Sequence, residues 1–405
     1  MMRILGIGNA RSVIFLRWAW RLAERGHSVF VVSDRFGGRP GELAGLVGFD
    51  IRRLEPLTRV PGVRRLRFRP ALGELARRLE IDVVHGHYLL PYGYWASTID
   101  GPPLVISPWG TDILVDAQRP GQNRRRALRA IEAADYLVVN SEAATTRALG
   151  LGADPDRIEQ IIWYADLERF GPDRFDPGLR ARFGWPGDAL VVLSLRNFRP
   201  DTNVDVIVRA FRSVADQEPR ARLVLAAQGG PLRARMEALV DQLRLRPLVA
   251  FTSATERELP GLVASADLLV AMTRSDSTPA SLLEAMASGL PAICARAASI
   301  DEWLEHREGG LLVPQNDEQA LISAITELLA NPALRASYGE HNRRTVTARV
   351  PPPGPQLERL YEQLLLEQGS SSRLADPAAR SLETGAVKTA AERTRRPVGS
   401  ETAGR

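Results

Sequence analysis

Residues 268–295 constrain the fold of this chain more than any other stretch. An apolar run, Leu268 to Met272, reads as a buried strand, and Ala292 to Ala295 reads as another. Between them lie a polar turn, Ser275-Asp276-Ser277-Thr278-Pro279, and an apolar helical stretch that carries Glu284 and stops at Gly289. Strand, helix and strand in succession imply a parallel α/β sheet. In such a sheet the helix entrance lies outside the carboxyl ends of the strands, where ligands bind. A helix start also presents free N–H groups and a positive dipole end, which suit a phosphate.

A purely structural reading competes with that one. Thr278 fits an N-cap with Pro279 at the first helical position. Ser281 and Glu284 fit a capping box, which would make Glu284 a helix-stabilising side chain only. The motif by itself leaves both readings standing.

The same alternation runs through the rest of the chain. Arg3 to Gly8, Val29 to Ser33, Asp82 to His85, Leu104 to Ser107 and Tyr136 to Asn140 read as strands, with helical stretches between them, the first over Val13 to Arg25. After a break rich in charge, Gly and Pro near Asp166 to Pro177, a second series begins. It comprises strands at Leu190 to Leu195, Arg222 to Ala227 and Leu248 to Phe251, and helices at Val204 to Gln217, Leu232 to Leu243 and Leu259 to Ser265. The expected organisation is two Rossmann-like domains, 1–168 and 169–350, meeting at a cleft. Residues 351–368 then form a Pro-rich connector and a final helix, Gln356 to Leu366. Residues 350–355, Val-Pro-Pro-Pro-Gly-Pro, are expected to be non-helical. The polar stretch 369–405 lacks aromatics and is expected to be disordered.

Composition narrows the chemistry. The chain has 405 residues, 44% hydrophobic and 25% charged, an ordinary globular balance with room for two cores. No apolar run is long enough for a membrane span. No signal-peptide pattern precedes the strand at Arg3. Cys294 is the only cysteine, which excludes an internal disulfide and a cysteine-rich metal site. A cytoplasmic protein is the expectation. The net charge is +5, and Lys388 is the only lysine. Schiff-base chemistry is therefore disfavoured, and a phosphate partner in the folded domains must be Arg or backbone. The Arg runs at Arg59 to Arg69 and Arg124 to Arg129 fit a solvated face. They also fit anionic lipid headgroups, which would bring a lipid-linked acceptor to the inner face of the membrane. Nucleic acid fits less well, because Phe68 is the one aromatic within the runs.

Two further segments carry polar candidates. Gly6-x-Gly8-Asn9-Ala10-Arg11-Ser12 fails as a dinucleotide fingerprint, since Arg11 replaces the third Gly. It reads equally as a tight turn with Ser12 as an N-cap. His85-Gly-His87-Tyr88 closes one strand, and Trp109-Gly-Thr-Asp112 follows the next. His85 itself reads as a satisfied, partly buried strand residue. None of the five histidines has metal-pair spacing on a helix, and no carboxylate cluster reads as a metal cage. No metal and no cofactor are expected.

Asp276 through Pro291, then Asp301-Glu-Trp-Leu-Glu and Gly309-Gly-Leu-Leu-Val-Pro, resemble the GT-B-fold glycosyltransferases of the large family-4 group, over residues 3–366. The resemblance implies a GT-B α/β fold, two Rossmann-like domains facing a central cleft. It also implies transfer of a sugar from a nucleotide-sugar donor to a hydroxyl acceptor, with retention of anomeric configuration. The acceptor would be a polysaccharide, a glycolipid or a small molecule. By the same resemblance Glu284 binds the ribose, Asp276 faces the sugar hydroxyls, and Ser277, Thr278 and Pro279 form the loop beside the diphosphate. Arg196 binds the diphosphate, and the turn with Gly8, Asn9 and Ser12 comes near the diphosphate or the acceptor. Four positions depart from the family pattern. Asp276 replaces the usual Glu, and the loop lacks its usual Gly. Asp201 stands where Lys is common, which leaves Arg199 as the substitute cation. Trp109 replaces a frequent His, which leaves His87 and Asp112 to orient and deprotonate the acceptor hydroxyl. Two rivals remain: an epimerase, and a catalytically silent sugar-binding or scaffold protein. A phosphorylase of this fold would need a lysine-bound cofactor that the folded domains cannot hold.

Overall fold

The computed structural model describes residues 1–37, 46–54, 64–162, 164–227, 229–351 and 354–368. The expected tail, 369–405, and the first part of the Arg59 to Arg69 run lie outside the described residues.

Short runs rich in Val, Ile and Leu form thirteen strands among the described residues, in two sheets. The first contains β1 (Arg3–Ile7), β2 (Ser28–Ser33), β3 (Val47–Asp50), β4 (Val83–His87), β5 (Leu104–Ser107), β6 (Tyr136–Val139) and β7 (Ile158–Gln160), in the order β3-β2-β1-β4-β5-β6-β7. The second contains β8 (Leu190–Ser194), β9 (Ala221–Ala226), β10 (Val249–Thr252), β11 (Leu268–Ala271), β12 (Ala292–Ala295) and β13 (Gly310–Val313), in the order β10-β9-β8-β11-β12-β13. All neighbours in the second sheet run parallel. Such strands are covered on both faces, which is why they read as continuous apolar runs rather than alternating ones. Each sheet changes winding direction once, between β1 and β4 and between β8 and β11. β3 and β7 escape sequence reading because Val-Gly-Phe-Asp and Ile-Glu-Gln carry too few β-formers.

Contacts group the chain into two compact units. Among the described residues, one holds those of 1–86 and 95–105 with 358–368; the other holds those of 87–94 and 106–357. In the second unit, helix Val204–Gln217 turns Val206, Ile207, Ala210, Phe211 and Val214 into the core. That spacing is the apolar stripe of an amphipathic helix. Cys294 is buried in β12, and burial pushes its thiol up to about 12.

In the first unit the last helix is Pro355–Glu367. Pro355 begins it instead of standing outside it, because a first helical residue needs no N–H partner. Glu358 accepts from Arg25 Nε at 2.6 Å and lies 2.8 Å from His27 Nε2. Tyr361 is fully buried and accepts a hydrogen bond from Trp18 Nε1 at 3.1 Å. Its hydroxyl also meets His85 Nδ1. His85 is fully buried, more so than expected, and burial pushes its imidazole down to about 3. The neutral ring therefore accepts the Tyr361 proton.

A stability prediction follows from that shift. The unfolded chain binds a proton at His85 below its ordinary value of 6.5, whereas the folded chain does not until about 3. Stability is lost as pH falls through this window, by about 1.4 kcal/mol per pH unit from this group. His85→Asn removes that share of the slope. Urea unfolding between pH 7 and pH 5 checks it, and equal slopes in both proteins would refute the assignment.

Candidate active site

The winding reversal of the second sheet positions the site. The pairing of Leu268 with Val192 and of Leu269 with Leu193 brings the ends of β8 and β11 side by side. Arg196 leaves one and Asp276 the other. Arg196 Nη1 meets Asp276 Oδ2 at 2.7 Å, with the two side chains 15% and 21% exposed. Burial pushes the Asp276 carboxyl above the usual range, against the pull of Arg196 and of the Ser277 N–H. Beside this pair, Ser194 Oγ, Thr273 Oγ1 and Arg196 Nε are buried with no hydrogen-bond partner among the described residues. Buried polar atoms are nearly always paired, so three such orphans at one sheet switch point mark a site.

The loop after Asp276 is held by a chain of side-chain bonds. The Ser277 hydroxyl donates to Asn140 Oδ1 and lies 2.7 Å from the Ser141 hydroxyl. Asn140 Nδ2 donates to the Tyr164 hydroxyl at 3.2 Å, and Tyr164 donates to the Thr278 carbonyl. The Thr278 hydroxyl donates to the Asn140 carbonyl and accepts from Trp303 Nε1 at 3.0 Å. Glu302, next in sequence to that Trp, accepts the N–H groups of Glu142 and Ala143 at 3.0 and 3.1 Å. The Asp301-Glu-Trp segment thus caps helix Glu142–Gly150 and anchors the site loop at once.

These bonds correct the expected helix start. Helix Ala280–Ala287 has Pro279, not Thr278, in the N-cap position. Thr278 is occupied by the loop network, and the predicted capping box does not form, because Ser281 is already inside the helix. Glu284 lies mid-helix at 4% exposure. Helix capping therefore does not account for it. Arg199, the expected second cation, pairs with Asp201 at 3.0 and 3.1 Å on the exposed loop after β8.

Residues 176–345 match the family model described as "Glycosyl transferases group 1", and residues 12–169 match "Glycosyltransferase Family 4". The chain belongs to the group 1 glycosyltransferases. It is 26% identical over 334 residues to the N-acetyl-alpha-D-glucosaminyl L-malate synthase of Bacillus anthracis, covering 80% of this chain and 86% of that one. It is 31% identical over 279 residues to a D-inositol 3-phosphate glycosyltransferase of Nocardioides sp., covering 63% of this chain and 61% of that relative. Anabaena HepE, solved in complex with UDP-glucose, superposes with a TM-score of 0.73 at 19% identity, over 91% of this chain and all of that one. At that identity the likeness shows the fold, which is GT-B.

The other expected residues of this glycosyltransferase divide by surroundings. Asp112 is 4% exposed, and its carboxylate accepts from the N–H groups of Leu89, Trp109 and Gly110 at 2.6, 3.0 and 2.8 Å. Burial raises its carboxyl, and these backbone bonds oppose the rise. Gly110 has φ +142°, and a Cβ there would come within 3.0 Å of the Ser277 nitrogen. Only glycine lets the 109–112 turn approach the site loop so closely. His87 is fully buried and packs edge-on to Trp109, with ring centroids 5.8 Å apart, while Tyr88 stacks on the same Trp at 4.5 Å. Gly8, Asn9 and Ser12 belong to the first unit. A Cβ on Gly8 would fall 2.9 Å from the Phe15 ring, and one on Gly6 would enter the Trp18 ring. Close helix packing explains both glycines. Asn9 Oδ1 accepts the Arg11 N–H, and Ser12 stands at the N-cap of helix Val13–Glu24 without a side-chain capping bond.

Among the described residues, one group of metal-ligand types lies close together, Glu305, Glu308 and His341, at 3.7–4.0 Å from ring nitrogen to carboxylate. Both carboxylates are exposed and neither is an expected site residue. No helix among the described residues is long and apolar enough to cross a membrane.

Sequence reading missed Asn140, Ser141, Tyr164 and Gly110. Asn140 and Ser141 follow a strand end, where polar residues are common, and nothing local marks them.

Asp112→Ala strands three backbone donors and is expected to cost about 1–3 kcal/mol of stability. Denaturant unfolding checks this. Lost turnover with unchanged stability would instead make Asp112 a catalytic group.

Proposed function

We propose that this glycosyltransferase moves a hexosyl group from a nucleotide-sugar donor to a hydroxyl acceptor, with retention of anomeric configuration and without a metal ion. The observation that carries the reading is the Arg196–Asp276 pair at the β8–β11 switch point, beside the helix that buries Glu284. Arg196 and the N-terminus of helix Ala280–Ala287 stabilise the departing diphosphate. Glu284 accepts the ribose hydroxyls, and Asp276 accepts those of the sugar. Ser277, Thr278 and Pro279 contribute backbone, since the Ser277 and Thr278 hydroxyls are taken up by Asn140. Arg199 is left to Asp201, which makes Arg196 the working cation. His87 orients the acceptor hydroxyl.

UDP-glucose, the ligand named for HepE, is the first donor to test. The relatives named for L-malate and D-inositol 3-phosphate suggest small polar acceptors. A lipid-linked acceptor remains part of the reading through helix Gln122–Ala133, where Arg125 and Arg129 are exposed. A cytoplasmic enzyme fits this use. One observation favours the silent-scaffold reading: Arg196 and Arg199, the two expected cations, each already meet a carboxylate.

A thermal-shift screen with UDP, GDP, ADP, CMP and dTDP and their sugars tests the donor site. Selective stabilisation by one nucleotide is expected, about 2.7 kcal/mol at a hundredfold excess over Kd. Glu284→Gln, which preserves shape, removes most of it. No stabilisation of the wild type would sink the donor site, whereas binding without nucleotide release on adding acceptors would favour the scaffold.

A further inference from the structure

A pocket of about 260 Å³ opens beside Asp276, lined by Arg147, Arg274, Ser275, Ser299 and Gln315 among others. This is just short of the ~300–1,000 Å³ of ordinary small-molecule sites. Two of its lining side chains are arginines. Arg296, next to the pocket wall, pairs with Asp301 at 3.1 Å, and Arg199 pairs with Asp201. Arg147 and Arg274 meet no carboxylate among the described residues. Asp276 also lines the pocket, but its charge is met by Arg196.

Arg274 is held in place from several sides. Its Nε donates to Asn203 Oδ1 at 3.1 Å, and its N–H donates to the Asp201 carbonyl at 2.9 Å. Its carbonyl accepts from Gln315 Nε2 at 2.8 Å. Asn203 is itself fixed, donating to the Met272 carbonyl at 3.0 Å and to Asn316 Oδ1 at 3.1 Å. The guanidinium is therefore preorganised, so little rotamer entropy is lost when it takes up an anion. Arg147 comes from helix Glu142–Gly150, whose N-terminus Glu302 caps. Two guanidinia around one small pocket, that of Arg274 held by Asn203, form a receptor for a compact anion.

We infer that this pocket binds an anionic substituent of the sugar acceptor, a phosphate or a carboxylate, through Arg147 and Arg274. The inference rests on the proposed donor reading for its placement, because Asp276 is the group assigned to the sugar and also forms one wall. An acceptor anchored here would present its hydroxyl group next to the anomeric carbon.

The test uses the full chain, with inorganic phosphate and malonate as probes, titrated by calorimetry with and without UDP. Wild type is expected to bind at least one probe, and Arg147→Gln and Arg274→Gln each weaken it about tenfold or more, as loss of a bidentate charged contact does. Both residues are exposed, so the variants fold, and UDP affinity in Arg147→Gln stays within about twofold of wild type. Phosphate preferred over malonate assigns the substituent as a phosphate, and the reverse assigns a carboxylate. Equal probe affinity in wild type and both variants, or no binding to wild type, overturns the inference. Failure of UDP to bind while the probes still depend on Arg147 would instead count against the donor reading alone.

Discussion

The site loop depends on one hydrogen-bonded group. Ser277 and Thr278 give both their hydroxyls to Asn140, and Tyr164 closes the group on the Thr278 carbonyl. Each of these atoms is buried, so a donor or acceptor left unpaired there would cost its full desolvation. The loop therefore has one arrangement that satisfies every member. That arrangement moves the helix start to Pro279, leaves Glu284 in mid-helix, and turns Asp276 toward Arg196. Serine and threonine give this loop a defined path by side-chain bonding.

Charge in the molecule is organised around arginine. With Lys388 as the only lysine in the sequence, every cation in the folded domains is a planar fork. Most surface forks are neutralised locally, as in Arg209 with Asp205 and Glu318. The Arg196–Asp276 pair differs because it is largely desolvated and has buried hydroxyls beside it. A part-buried pair contributes little net stability, since desolvation offsets attraction. In the proposed donor site its value lies in holding opposite charges at the strand ends. The inferred anion site at Arg147 and Arg274 would extend this logic to a neighbouring pocket.

The framework was legible because the signals are local. The apolar runs of β8, β9, β11 and β12 announced buried parallel strands, and Gly289 ended the helix where expected. The position of the polar loop at the carboxyl ends of the strands could also be placed, since it follows from the strand–helix–strand succession, whereas the switch point required the strand order. Local signals failed where long-range contacts won. Thr278 has the composition of an N-cap, yet Asn140 claims its hydroxyl from 138 residues away. Asp112 reads as a catalytic acid or base, yet three backbone N–H groups surround its carboxylate. Gly6 and Gly8 read as a ligand turn, yet Trp18 and Phe15 fill the space a side chain would need.

The sequence by itself determined two parallel α/β sheets, the Asp276–Glu284 segment at a strand end, and an arginine-only supply of cations. These follow from periodicity and composition, which act between near neighbours. Tertiary structure alone decided which polar groups are spent on the fold and which face a ligand. Asn140 and Trp303 engage the loop hydroxyls, Tyr164 takes the Thr278 carbonyl, Asp201 pairs with Arg199, and Arg147 comes to share a pocket with Arg274. Apart from Arg199 with Asp201, these are meetings between segments far apart in sequence, and they are settled only when packing brings the groups together.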